Sequence, residues 1–208
     1  MVSLEEQLTR PAEVGDAARR AAARFTDVAD AEGLLDVAYA SADTPIGALT
    51  VASTARGLVR VSWASEDQAN VVAELAERVS PRVLESPARL DPVRRALENY
   101  FAGRLQSFDL PIDWALVRGP FTRRVLQATN RVPFGELTSY REVASAAGSP
   151  AAVRAAGNAL GSNPIPIVVP CHRVVRTGGA LGGYGGGIDL KVHLLGIEGH
   201  GGALTGGV

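Results

Sequence analysis

The chain is short of the residues that most often announce a site. Its 208 residues include one cysteine and three histidines. A single cysteine excludes an intrachain disulfide and any multi-cysteine zinc site, and it fits a reducing compartment. No run of 18 apolar residues occurs, and the first residues lack an uninterrupted apolar segment. Neither membrane spanning nor secretion is expected, which leaves the cytoplasm as the location. The glycine-dense stretch from Thr177 to Gly187 has no Gly-Lys-Ser/Thr ending and no Gly-x-Gly-x-x-Gly frame, which argues against a nucleotide cradle. It reads as a loop whose bare backbone approaches a ligand, with Tyr184 as its one large side chain. Charge of one sign is lacking as well, the net charge being −1. The distribution is less even: residues 1–110 hold 12 basic and 17 acidic side chains, and residues 111–208 hold 9 and 5. A weakly basic second half could meet a phosphate backbone while the first half faces away.

With 46% hydrophobic residues the chain can bury one core of good size or two small domains sharing an interface. Residues 1–35 are rich in Ala, Glu and Arg and read as a solvated extension, with an amphipathic helix from Pro11 to Phe25. From Leu35 the pattern changes to short strands. Leu35 to Ala40 and Ala48 to Ala52 flank the turn signal Thr44-Pro45-Ile46-Gly47, and Gly57 to Trp63 completes a three-stranded antiparallel meander. Helical spacing follows at Gln68 to Arg78 and at Pro92 to Phe101, so residues 36–110 form an α+β scaffold domain.

Residues 111–208 form the second, mainly helical domain. A helix opens at Pro120, with Phe121, Val125 and Leu126 on one face. After the break at Val132-Pro133-Phe134-Gly135, a helix begins near Tyr140 with Thr138 or Ser139 as N-cap and Glu142 as the reach-back acid. It stops at Gly148-Ser149-Pro150, and a second helix runs from Pro150 to about Leu160. That helix, turn and helix is the arrangement of a helix-turn-helix. Val153, Ala156, Gly157 and Leu160 make the expected buried stripe. Ala151, Arg154, Ala155 and Asn158 make an outer face small enough to approach a narrow groove. The last helix, about Asp189 to Ile197, ends at Glu198, a carboxylate opposed to the helix dipole that either points into water or has a positive partner. His172 is the expected one.

The stretch Asn163 to Val175 holds the lone Cys171 beside His172 and Arg173. Its apolar run between Pro164 and Pro170 reads as a buried extended segment that fixes the thiol in place. A free thiol near pKa 8.5 is largely protonated at neutral pH, so a nucleophilic Cys171 needs a base or a positive neighbour to ionise it. Adjacent residues do not face each other, so His172 is expected to reach the thiol through a water, with Glu198 orienting the imidazole. A protein that only binds its ligand, or a thiol hydrolase or redox protein, are the rival readings. Retention of a nucleophile weakens the first, and absence of a resolving thiol weakens the redox form of the second.

The sequence Asn-Pro-Ile-Pro-Ile-Val-Val-Pro-Cys-His-Arg-Val-Val closely resembles the active-site signature of the alkylguanine-DNA alkyltransferases, also called methylated-DNA-protein-cysteine methyltransferases. The resemblance covers about Phe121 to Gly199, and the first half matches the family in pattern only. It implies an α+β fold with an RNase H-like N-terminal sheet domain and a winged helix-turn-helix-like DNA-binding unit. It also implies direct-reversal repair: one irreversible, single-turnover transfer of an alkyl group from O6 of guanine to Cys171, with activity on O4-alkylthymine left open. By that resemblance His172 is the base, Glu198 its orienter, Tyr140 the acid that protonates the departing guanine, and Asn163 a hinge before the active-site segment. Arg154 would fill the stack left by the flipped nucleotide, and Thr122, Arg141, Ser149 and Thr177 would contact the DNA backbone. Pro166, Tyr184 and Gly185 would line the alkyl pocket, Gly185 departing from the serine of some relatives. No metal and no cofactor are implied. The implied partner is double-stranded DNA with an alkylated guanine, approached from the minor groove by a monomer, with cooperative assembly on DNA left open.

Overall fold

The computed structural model describes residues 11–201. The first lobe begins with helix α1 (Pro11–Ala31), followed by strands β1 (Val37–Ala42), β2 (Leu49–Thr54) and β3 (Gly57–Ser62), helix α2 (Gln68–Arg78), strand β4 (Val83–Glu85) and helix α3 (Pro87–Phe101). The sheet order is β3-β2-β1-β4. The expected antiparallel meander is present, but it carries a fourth strand, β4, parallel to β1. Helix α3 starts five residues before Pro92: Pro87 occupies its first turn, where a missing N–H costs nothing, and Pro92 lies inside.

Alternation along the strands, interrupted in the β2–β3 pairing by a bulge at Ala52/Ser53 that puts Val59 and Val61 on opposite faces, gives the sheet two covered faces. Val37, Ala52 and Val59 pack with Val71 and Leu75 of α2. Ala38, Ala40, Leu49, Val51 and Val61 join Leu90, Val93, Leu97 and Tyr100 of α3 in a larger core that continues into the second lobe. The alanines of β1 let α3 lie close, which carries Tyr100 toward the second lobe. Residues 111–113, counted from sequence with the second half, lie beside Leu58 of β3: Leu58 N–H donates to Pro111 O at 2.8 Å and Asp113 N–H to Leu58 O at 2.9 Å.

Helix α1 runs six residues beyond Phe25, and its last turns are not a free extension. Thr26 and Ala29 are buried, and Asp30 meets Arg89 of α3 at 2.8 Å. Phe25, Val28 and Leu34 remain exposed.

The second lobe comprises α4 (Pro120–Thr129), β5 (Thr138–Ser139), α5 (Tyr140–Ala146), α6 (Val153–Gly161), a 3₁₀ turn at Cys171–Arg173, β6 (Val174–Val175), α7 (Ile188–Leu195) and a wide turn at Gly196–His200. Ser139 caps α5 in a full capping box: its hydroxyl accepts from Glu142 N–H, and the Glu142 carboxylate accepts from Ser139 N–H. Helix α6 starts three residues later than the sequence suggests, because Ser149–Ala152 closes a turn in which Ala152 N–H reaches Ser149 O. Its buried face is Ala156, Ala159 and Leu160, whereas Val153 and Gly157 border a cavity instead.

Candidate active site

The segment before Cys171 is buried as expected but is not extended. Residues 164–169 fold into turns closed by Val169 N–H donating to Ile165 O at 2.9 Å. Ile167 adopts φ 73°, a left-handed conformation that a β-branched residue avoids. The turn is held from both sides. Asn163 Nδ2 donates to Val169 O at 2.9 Å and to Cys171 Sγ at 3.2 Å, while Asn163 Oδ1 accepts from Ile165 N–H at 3.0 Å. From the first lobe, Val61 N–H donates to Pro164 O at 2.8 Å. Asn163 is therefore a staple across the turn, with its amide on the sulfur.

Cys171 then opens a 3₁₀ turn, in which successive side chains point about 120° apart. The thiol faces a cavity of about 910 Å³ and keeps 9% exposure, while His172 is directed into the interior with none. His172 Nε2 lies 2.8 Å from Glu198 Oε1, which makes the contact expected from sequence. Three further partners of Glu198 were not foreseen: Arg173, whose Nε and Nη2 donate at 2.8 and 3.0 Å, Tyr100 of the first lobe, whose hydroxyl donates at 2.8 Å, and the Gly135 N–H, which donates at 3.4 Å.

These contacts decide the charges. Burial would raise the Glu198 pKa, but hydrogen bonds from His172 and Arg173 outweigh it and hold it at about 2. Burial lowers the His172 pKa against the pull of Glu198. The consistent assignment is a carboxylate balanced by Arg173 and a neutral imidazole donating from Nε2. Nδ1 then carries the lone pair, and it is buried with no protein hydrogen-bond partner. For Cys171, burial pushes the thiol up, with the Asn163 amide and the Lys191 ammonium pulling the other way. An ionised sulfur in the resting protein was expected from sequence; burial instead favours the thiol, so its proton must leave during the reaction. Lys191 is itself buried, donates to Val174 O and Leu181 O at 2.6 and 2.5 Å, and is lowered to about 8 by burial, with Cys171 opposing.

The cavity brings together Tyr140 of α5, Arg154 and Gly157 of α6, Cys171, Thr177, and Tyr184 and Gly185 of the glycine loop. Pro166, expected among them, is buried in the turn below and takes no part in the lining, because the segment coils rather than running extended. Tyr140 is packed against the loop so closely that a Cβ at Gly182, where φ is +68°, would sit 2.8 Å from its hydroxyl. Burial, followed by the nearby Cys171, raises the Tyr140 pKa, so the phenol keeps its proton at neutral pH. Arg154 and Arg141 are exposed, Thr122 and Ser149 are half-buried, and only Thr177 of the expected backbone contacts borders the cavity. Among the described residues no group of three His, Cys, Asp or Glu side chains could hold a metal, and no helix is long and apolar enough to cross a membrane.

A sheet lobe that props up a helical lobe, with a lone cysteine under the second helix of an αα pair, defines a two-lobed α+β protein built around one cysteine. Residues 120–200 match the model of the 6-O-methylguanine DNA methyltransferase DNA binding domain, and residues 37–114 match its ribonuclease-like domain. The methylated-DNA–protein-cysteine methyltransferase of Mycolicibacterium paratuberculosis is 42% identical over 163 residues, 78% of this chain and 92% of that protein. The constitutive enzyme of that name from Bacillus subtilis is 38% identical, over 77% and 94%. The solved structure of Mycobacterium tuberculosis OGT in complex with DNA is 39% identical with a TM-score of 0.66, covering 77% and 92%. The chain belongs to the methylated-DNA–protein-cysteine methyltransferase family.

Proposed function

We propose that the protein repairs DNA by direct reversal, moving the alkyl group of an O6-alkylguanine onto Cys171 once and irreversibly. The observation that carries this reading is the placement of Cys171: its sulfur opens into a cavity bordered by α6 with Arg154, and is backed by the Asn163 amide. A stacked base cannot bring its O6 substituent to such a thiol, so the nucleotide must be flipped. Arg154, exposed on α6 at the cavity rim, is the residue to fill the stack from the minor groove. Thr122, Arg141, Ser149 and Thr177 are assigned to the phosphate backbone.

In the reaction the Cys171 proton passes through a water to Nδ1 of His172, a buried imidazole nitrogen without a protein partner among the described residues. The sulfur attacks the alkyl carbon in line, the carbon–O6 bond breaks, and its electron pair returns to the guanine. Tyr140 supplies the proton the guanine needs, and is restored from the imidazolium through solvent. Tyr184 and Gly185 hold the alkyl group. The thioether formed is stable, so one molecule performs one repair. The protein acts as a cytoplasmic monomer, with residues 1–35 outside both matched domains.

Intact mass after incubation with an O6-methylguanine duplex tests the reading. One added methylene mass in the unaltered chain and none in Cys171→Ala is the expected result. Binding of the duplex with no change in mass would instead mark a damage-recognition protein.

A further inference from the structure

The wall of the alkyl cavity is not supported by the second lobe alone. Trp63, one residue past the end of β3, packs edge-on against Tyr184 with ring centroids 5.6 Å apart and planes at 64°. On the active-site side, Tyr184 meets the His172 ring edge-on at 6.4 Å. The glycine loop lies on the indole as well: a Cβ at Gly186 would stand 3.2 and 3.3 Å from two of its ring carbons and 2.6 Å from Leu190 Cδ2, and one at Gly185 would stand 3.7 Å from its Nε1. Trp63 has a fixed base. Its backbone N–H donates to Glu66 Oε1 at 2.9 Å, its backbone carbonyl accepts from Glu66 N–H at 3.0 Å, and the Glu66 carboxylate is paired with Arg60. Two residues earlier, Val61 is tied to Pro164 in the turn that leads to Cys171.

We propose that Trp63 is a positioning residue which, from the first lobe, fixes Tyr184 and the Gly185–Gly186 backbone against the cavity and so biases the reaction toward small alkyl groups. The inference rests on the alkyl-transfer reading. No hydrogen bond holds the Tyr184 side chain, its hydroxyl being buried without a partner among the described residues, so the place of its ring is decided by packing. An indole behind that ring keeps the wall forward, where it presses a methyl carbon toward the sulfur. Without the indole the loop has room to recede. A methyl group then loses its contact, while a benzyl group gains depth.

Single-turnover transfer from O6-methylguanine and O6-benzylguanine duplexes, measured for the unaltered chain, Trp63→Ala and Trp63→Leu, tests this. Removing the indole should slow methyl transfer by roughly tenfold and benzyl transfer by less than about threefold, a discrimination of the size that pocket contacts confer. Trp63→Leu keeps apolar bulk under the loop and should shift the ratio in the same direction by less, which preserves the test should Trp63→Ala fail to fold. A general loss of stability would lower both rates together and leave their ratio unchanged, and that result, or no change in either rate, overturns the proposal. Failure of the unaltered chain to take up either group would overturn the transfer reading itself.

Discussion

Glu198 carries its charge in a place almost closed to water, and three side chains keep it there. Arg173 neutralises it, His172 and Tyr100 donate to it, and only the last comes from the first lobe. Removing one member of such a buried set leaves the others unmatched, so Glu198→Gln should cost roughly 3–5 kcal/mol at pH 7 in chemical denaturation. The depressed pKa values of Glu198 and His172 also give a direction with pH. The unfolded chain takes up protons on histidine near 6.5 and on glutamate near 4.5, before the folded chain does. Their stabilisation is therefore full above about pH 6.5 and drains away as the pH falls toward 2. Denaturation midpoints measured from pH 7 to 4 should decline in the unaltered chain and decline less in Glu198→Gln. Tyr100→Phe removes one hydrogen bond to a charged group, and a loss of about 1.5–3 kcal/mol is expected, with transfer slowed and duplex affinity unchanged. Unaltered transfer in Tyr100→Phe would deny the first lobe a part in orienting Glu198. Sequence alone led to the meeting of Glu198 with His172, through the cost of a carboxylate at a helix C-terminus. It gave no sign of Tyr100, 98 residues away, because only the folded core brings α3 to that carboxylate.

Elements divide by how local their causes are. Helix α2 occupies Gln68–Arg78 as its spacing implies, and α5 begins at the cap that Ser139 and Glu142 spell out, since both depend on neighbours within four residues. Strand β4 was not legible: three residues carry no period, and their pairing with β1 is parallel and reaches back over 40 residues. The turn at 164–169 was misread because an apolar run looks alike whether it extends or coils, and only the staple by Asn163 decides between them. At this scale Ser139→Ala should destabilise the protein by about 1 kcal/mol, read by thermal melting. Arg154→Ala should weaken transfer from duplex DNA more than from the free modified base. Equal losses on both would reject a stacking role for the arginine.

For the molecule as a whole, the charge is divided rather than absent. If the basic second half meets phosphates, affinity for duplex should fall with salt. Arg141→Ala should then reduce the slope of log affinity against log salt by about one while leaving transfer from the free base unchanged. A slope equal to that of the unaltered chain would remove Arg141 from the DNA contact. Helix α1 lies outside both matched domains, yet its last turns are pinned to α3 by the Asp30–Arg89 pair. Deleting residues 1–24 should leave the transfer rate intact, whereas deletion through residue 35 would also strip away the buried Thr26, Ala29 and Leu35.

The backbone hydrogen bond from Val61 to Pro164 has a practical corollary. A polypeptide cut at the exposed Arg118–Gly119 junction would yield two fragments, each retaining one half of that bond. Neither piece alone would hold the cysteine's supporting coil against its neighbour, but mixing them should restore alkyl uptake, making this protein a candidate for a two-part reporter whose signal is a permanent covalent mark.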